Sequence, residues 1–139
     1  MNKQQVEKFI NKFDLPSKII VKFLPESEMT PYYPAQVSEL EDGSYLLELC
    51  RKEFLYHKDE IYLKALLVHE LGHIATFHIT FQSSSYDEYI AHRWALRVTF
   101  KKRFFRIHRE LQLMIESWKN FTWNEDGGIY RRYIVAASI

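Results

Sequence analysis

The chain has 139 residues, enough to bury a real core, and is expected to form a single domain over residues 1–139. An apolar content of 47% and a charged content of 27% fit a soluble globular protein, and a net charge of +1 excludes strong overall attraction to polyanions. The single Cys50 excludes an internal disulfide and fits a reducing cytoplasm, and no run of 18 apolar residues offers a membrane span.

In chain order, MNKQQVEKFINKF spaces Val6, Phe9, Ile10 and Phe13 as an amphipathic helix and not as the apolar block of a secretory signal. That helix should stop near Asp14, because Leu15 precedes Pro16. Lys18 to Phe23 reads as a short β-branched strand, and PESEMTPYYP as a loop. AQVSEL and SYLLELC flank an Asp42-Gly43 hairpin signal. Together these segments predict an antiparallel sheet of about three strands in an α+β fold.

Asp59 is a candidate N-cap for a helix running through Leu63, Leu67, Leu71, Ile74 and Phe77. A second helix should start around Ser85 or Tyr86, and a break is expected near Val98, Thr99 and Phe100. A third helix should cover about Lys102 to Lys119, followed by a turn at WNEDGG and a final helix over IYRRYIVAASI. Trp118, Trp123, Tyr130 and Tyr133 read as packing residues of these last helices.

Within the first long helix, LLVHELGHIATFH sets two histidines, a glutamate and a glycine into an apolar run. Glycine costs about 1 kcal/mol against alanine there, and glutamate is rarely buried without a partner. His69 and His73 are one turn apart and project from nearly one face, about 40° apart around the axis. Two imidazoles so placed can bind one tetrahedral zinc ion. Glu70, about 100° round from His69, can act on water at the metal without ligating the ion. The polar residues then have partners: a cation and a water. Gly72, lacking a Cβ, lets another segment approach the helix backbone beside the metal.

A catalytic zinc site needs a third protein ligand. The same helix does not supply it through the extended His-x-x-Gly-x-x-His pattern, because Thr76 and Ile79 occupy the diagnostic positions. His78 lies five residues after His73 and points about 140° away. On the following helix Glu88 shares a stripe with Ala91 and Ala95, whose small side chains permit close approach of the two helices. Asp87 and His92 compete with Glu88. Asp87 reads equally as a helix-capping residue, and His92 as a hydrogen-bond partner of a ligand.

HELGH, followed some fifteen residues later by E-x-x-A-x-x-W-A, resembles the ImmA/IrrE family of zinc metallopeptidases, including its small phage and mobile-element members. The resemblance spans roughly residues 36 to 97 and includes the strand YLLELC leading into the zinc helix. It implies a zincin-like fold, with the small sheet packed on the active-site helix and further helices after it. By the same resemblance His69, His73 and Glu88 match the ligands of one zinc ion, and Glu70 matches the general base. The implied activity is zinc-dependent hydrolysis of a peptide bond in an intracellular protein, and kinship suggests a helix-turn-helix repressor of a mobile element or stress response as substrate. Oxyanion donors could come from Tyr86, His92 or His78.

Two other classes compete. One is a catalytically silent zincin-fold module that binds a partner. The other is a DNA-associated zinc protease, suggested by Arg93, Arg97, Lys101, Lys102, Arg103, Arg106 and Arg109 with Phe100, Phe104 and Phe105 among them. Against nucleic acid, such runs are usually solvated helix faces with core aromatics, and the acidic residues between 26 and 60 could pair with them.

Overall fold

A computed structural model describes residues 1–29, 34–77 and 85–118, with side chains left undescribed at Ser85, Tyr86, Ser117 and Trp118. The expected turn at 123–128, the final helix and its aromatic residues fall outside these segments.

Helix α1 (Lys3–Ile10) begins with a capping box: Asn2 accepts from the Gln5 backbone N–H, and Gln5 accepts in return from that of Asn2. Val6, Phe9 and Ile10 turn inward, and a 3-10 turn carries Phe13 into the same core. Asp14, at φ 50°, then ends the helical segment.

Strands β1 (Ile19–Leu24), β2 (Ala35–Glu39) and β3 (Tyr45–Cys50) make one sheet in the order β1-β3-β2. The sheet is mixed, which corrects the antiparallel expectation. β2 and β3 form the hairpin signalled by Asp42-Gly43, with Gly43 at φ 83°, and pair antiparallel from Ala35↔Leu49 to Glu39↔Tyr45. β1 instead runs parallel to β3, from Ile19↔Tyr45 to Leu24↔Cys50. A hairpin turn dictates the sense of the two strands it joins. The direction of β1 depends on which edge of the sheet the chain crosses to, which local patterning does not encode. Buried Tyr45, Leu47 and Leu49 alternate on β3 as a half-covered strand requires.

Helix α2 (Arg51–Tyr56) is an addition to the expected elements. Six residues without a side-chain cap carry little periodic signal, and Phe54 alone anchors the turn, with no exposed surface. Helix α3 (Glu60–Ala75) starts where Asp59 accepts from the N–H groups of Ile61 and Tyr62, at 3.0 and 3.1 Å. It ends two residues earlier than expected, where Thr76 caps it and Phe77 turns to φ 58°.

Helices α4 (Ser85–Lys101) and α5 (Phe105–Trp118) follow, separated by a tight turn with Arg103 at φ 61°. α3 packs against α1, β2, α4 and α5 and is the hub of the fold. Leu63, Leu67 and Leu71 of α3 meet Ala95 and Leu96 of α4 and Leu111 and Ile115 of α5 in one continuous core. Among the described residues no helix is long and apolar enough to cross a membrane.

Loss of the Asp59 cap should be felt at the start of the hub helix. Asp59→Ala is expected to lower unfolding stability by about 1 kcal/mol, measured as a shift of the urea midpoint at unchanged slope.

Candidate metal centre

The site is built from the contact of two helices. An alanine Cβ placed at Gly72 would lie 2.3 Å from the carbonyl oxygen of Ala91 and under 3 Å from two further backbone atoms of that residue. Only glycine permits this approach of α4 to α3. Ala91 and Ala95, both without exposed surface, complete the close face. The segment that Gly72 was expected to admit is therefore α4, one turn from Glu88.

That approach sets a carboxylate against two imidazoles. His69 and His73 are both 5% exposed, with ring centroids 5.2 Å apart and planes at 83°. The Nε2 of His69 lies 2.6 Å from one Glu88 oxygen, and the Nε2 of His73 lies 3.3 Å from the other. Both rings thus aim their Nε2 atoms at one carboxyl group. The side chain of Glu70 joins them from α3: His69, Glu70 and His73 each offer a ligand atom, all within 4.8 Å of one another.

The donor set suits a divalent cation. Imidazole nitrogens and carboxylate oxygens are both established zinc ligands. Donors held at about 2.0–2.1 Å by a tetrahedral ion lie about 3.3 Å from each other, and the His73–Glu88 separation is 3.3 Å. The His69–Glu88 contact is tighter, at the length of a charge-assisted hydrogen bond. Buried His69 and His73 with half-buried Glu70 could therefore hold a metal ion, with Glu88 facing both imidazoles.

The two glutamates are driven in opposite directions. Burial pushes the Glu70 carboxyl up to about 7; the nearby His69 and His73 oppose the rise, and Glu88 adds to it. Burial also acts to raise Glu88, but His69 and His73 outweigh it by charge and by hydrogen bond and hold it well below the ordinary carboxylate value. Glu88 is thus kept as the anion of the cluster.

His92 has no exposed surface and sits behind His69. Its Nδ1 lies 3.0 Å from His69 Nδ1, and its Nε2 lies 2.9 Å from the backbone carbonyl of Leu111 on α5. Burial first, and then His69, push its pKa down to about 3, against the opposing influence of the Leu111 carbonyl and Glu88. The ring is neutral at physiological pH. Both ring nitrogens of His92 face protein partners, His69 on one side and the Leu111 carbonyl on the other. Asp87 is buried at the first turn of α4, while the ion pairs of His69 and His73 run to Glu88. His78 and the Tyr86 side chain lie outside the described residues.

The basic stretch behaves differently from its expected pairing. Arg97, Lys101, Lys102, Arg103, Arg106 and Arg109 are exposed, and none makes an ion pair with a described residue of the acidic 26–60 segment. Phe104 packs against the core, but Phe100 and Phe105 are 63% and 54% exposed, contrary to a core reading of all three. A separate cleft of about 460 Å³, lined by Glu7, Asn11, Asp14 and Lys18 among others, shares no residue with the histidine cluster.

Sequence spacing pointed to each side chain of the cluster. The Leu111 carbonyl was missed, because a backbone acceptor leaves no residue signature. The chain matches no protein-family model, no curated protein and no solved structure.

Gly72→Ala should force α4 away from α3. The expected outcome is a loss of about 1–3 kcal/mol in stability, as for other overpacked contacts, together with loss of bound metal at stoichiometric loading. Denaturant melts and elemental analysis of the same preparation measure both.

Proposed function

We propose that this protein is a zinc-dependent endopeptidase, with His69, His73 and Glu88 holding the ion and Glu70 acting as general base. One observation carries the reading: two histidines a turn apart converge through Nε2 on the carboxylate of a neighbouring helix, with a second carboxylate beside them. A structural ion pair needs neither two imidazoles nor a second glutamate. The resemblance of HELGH and the following E-x-x-A-x-x-W-A to the ImmA/IrrE metallopeptidases supports the same assignment of roles.

Zinc bound there would supply Lewis acidity, lowering the pKa of water and polarising the scissile carbonyl. The chain's own groups do the rest. Glu88, held as an anion, balances part of the ion's charge within a buried site. Glu70, adjacent to His69 but turned about 100° from it around the helix, takes a proton from the attacking water and returns it to the departing amine. The edge strand β2, which packs against α3, offers backbone groups with which an extended substrate can pair. The substrate class is a peptide segment of another protein, and a helix-turn-helix repressor is the candidate suggested by the resemblance.

Glu70→Gln separates binding from chemistry. With zinc-loaded protein and a proteome-derived peptide library, wild type should create new peptide termini, detected by mass spectrometry. The variant should retain one zinc per chain and lose cleavage by at least about 100-fold. Equal cleavage by the variant would refute the assignment of the base. Zinc retention with no cleavage by wild type would turn the reading to a silent binding module.

Removing a ligand should act on the metal first. Glu88→Ala and His73→Ala are each expected to abolish stoichiometric zinc retention after dialysis, read by elemental analysis, while far-ultraviolet circular dichroism stays near that of wild type.

A further inference from the structure

The contacts of His92 dictate where protons sit on the ring in front of it. A backbone carbonyl only accepts, so the 2.9 Å contact between Leu111 O and His92 Nε2 places a hydrogen on that nitrogen. The neutral ring then carries a bare lone pair at Nδ1. That lone pair lies 3.0 Å from His69 Nδ1, and two bare nitrogens would repel at this distance. His69 must therefore donate from Nδ1. Its Nε2 is the atom left to face the Glu88 carboxylate, 2.6 Å away. In the metal-free chain a shared proton accounts for a contact of that length, and a divalent ion can take the place of that proton between Nε2 and the carboxylate.

We infer that His92 is a positioning residue that transmits a hydrogen-bond constraint from the Leu111 carbonyl of α5 to His69, fixing its tautomer so that Nε2 is offered to the metal. This rests on the proposed zinc site but adds an element to it: α5, which carries none of the three proposed ligands, takes part in preparing the centre. The usual partner for a metal-bound imidazole is a carboxylate or a carbonyl. Here a neutral imidazole stands between, so the constraint is passed on with no additional buried charge. An aliphatic side chain at position 92 would fill the space but leave His69 Nδ1 without its acceptor.

The test begins on the wild-type protein, uniformly labelled with nitrogen-15. An N–H···N hydrogen bond gives a scalar coupling between its two nitrogens. The expected result is such a coupling between His69 Nδ1 and His92 Nδ1, with the hydrogen on His69 and with His92 protonated at Nε2. A His92 ring bearing hydrogen at Nδ1 and none at Nε2 would overturn the proposal. Zinc affinity, read by competition with a chromophoric chelator, forms the second arm. His92→Leu should weaken zinc binding about 10–100-fold, and His92→Asn, whose side-chain oxygen takes the place of Nδ1, should recover most of the loss. Equal affinity in wild type and the leucine variant would overturn it, as would no recovery by asparagine. The two readings fail separately. An intact coupling in a wild type that retains no zinc defeats the metal assignment, and a missing coupling in a protein that retains zinc defeats the relay.

Discussion

The close crossing of α3 and α4 at Gly72 and Ala91 is the constraint on which the site depends. A Cβ at Gly72 would collide with backbone and not with a side chain that could swing away. The helix separation is therefore fixed by main-chain contact. This matters because the Glu88 side chain is short, and it reaches both histidine Nε2 atoms only when α4 lies against α3. Ala91 and Ala95 continue the close face on the α4 side, three and seven residues after Glu88. Small residues thus determine the position of the charged ones.

The energetics of the cluster follow from its burial. Histidines and glutamates placed in an apolar interior lose hydration that only paired, hydrogen-bonded partners restore. Among the described residues no buried side-chain nitrogen or oxygen lacks such a partner. His69 is held from both sides, by His92 behind and Glu88 in front, and His73 shares the same carboxylate. Folding alone would be served as well by aliphatic residues at these positions. A cluster of this composition, held rigid by a three-helix core, is what a metal centre requires of its scaffold.

Much of this was legible in the sequence, and the parts that were not share a cause. The one-turn spacing of His69 and His73, the Asp59 cap, the Asp42-Gly43 hairpin and the glycine at 72 are local signals, each tied to a backbone geometry within a few residues. The stripe of Glu88 with Ala91 and Ala95 was also readable, and the paired helices bring the Glu88 carboxylate to both imidazoles, while Asp87 and His92 were equally visible as candidates in the same stretch. The parallel sense of β1, the short α2 and the role of Leu111 depend on non-local arrangement. A crossover direction, a six-residue helix anchored by Phe54 and a backbone carbonyl aimed at a ring carry no periodicity to read. The exposure of Phe100 and Phe105 was misread for a related reason: their spacing alone does not reveal that the α4–α5 turn carries them outward.

The central claim is that α3 and α4 together clasp one divalent ion. Anomalous diffraction at the zinc absorption edge, on crystals of the protein loaded with one equivalent of zinc, tests it most directly. A single strong peak is expected about 2.0–2.2 Å from the Nε2 atoms of His69 and His73 and from a Glu88 oxygen. A map with no peak between the two helices, or with the zinc bound elsewhere and the imidazoles turned from Glu88, would contradict the account.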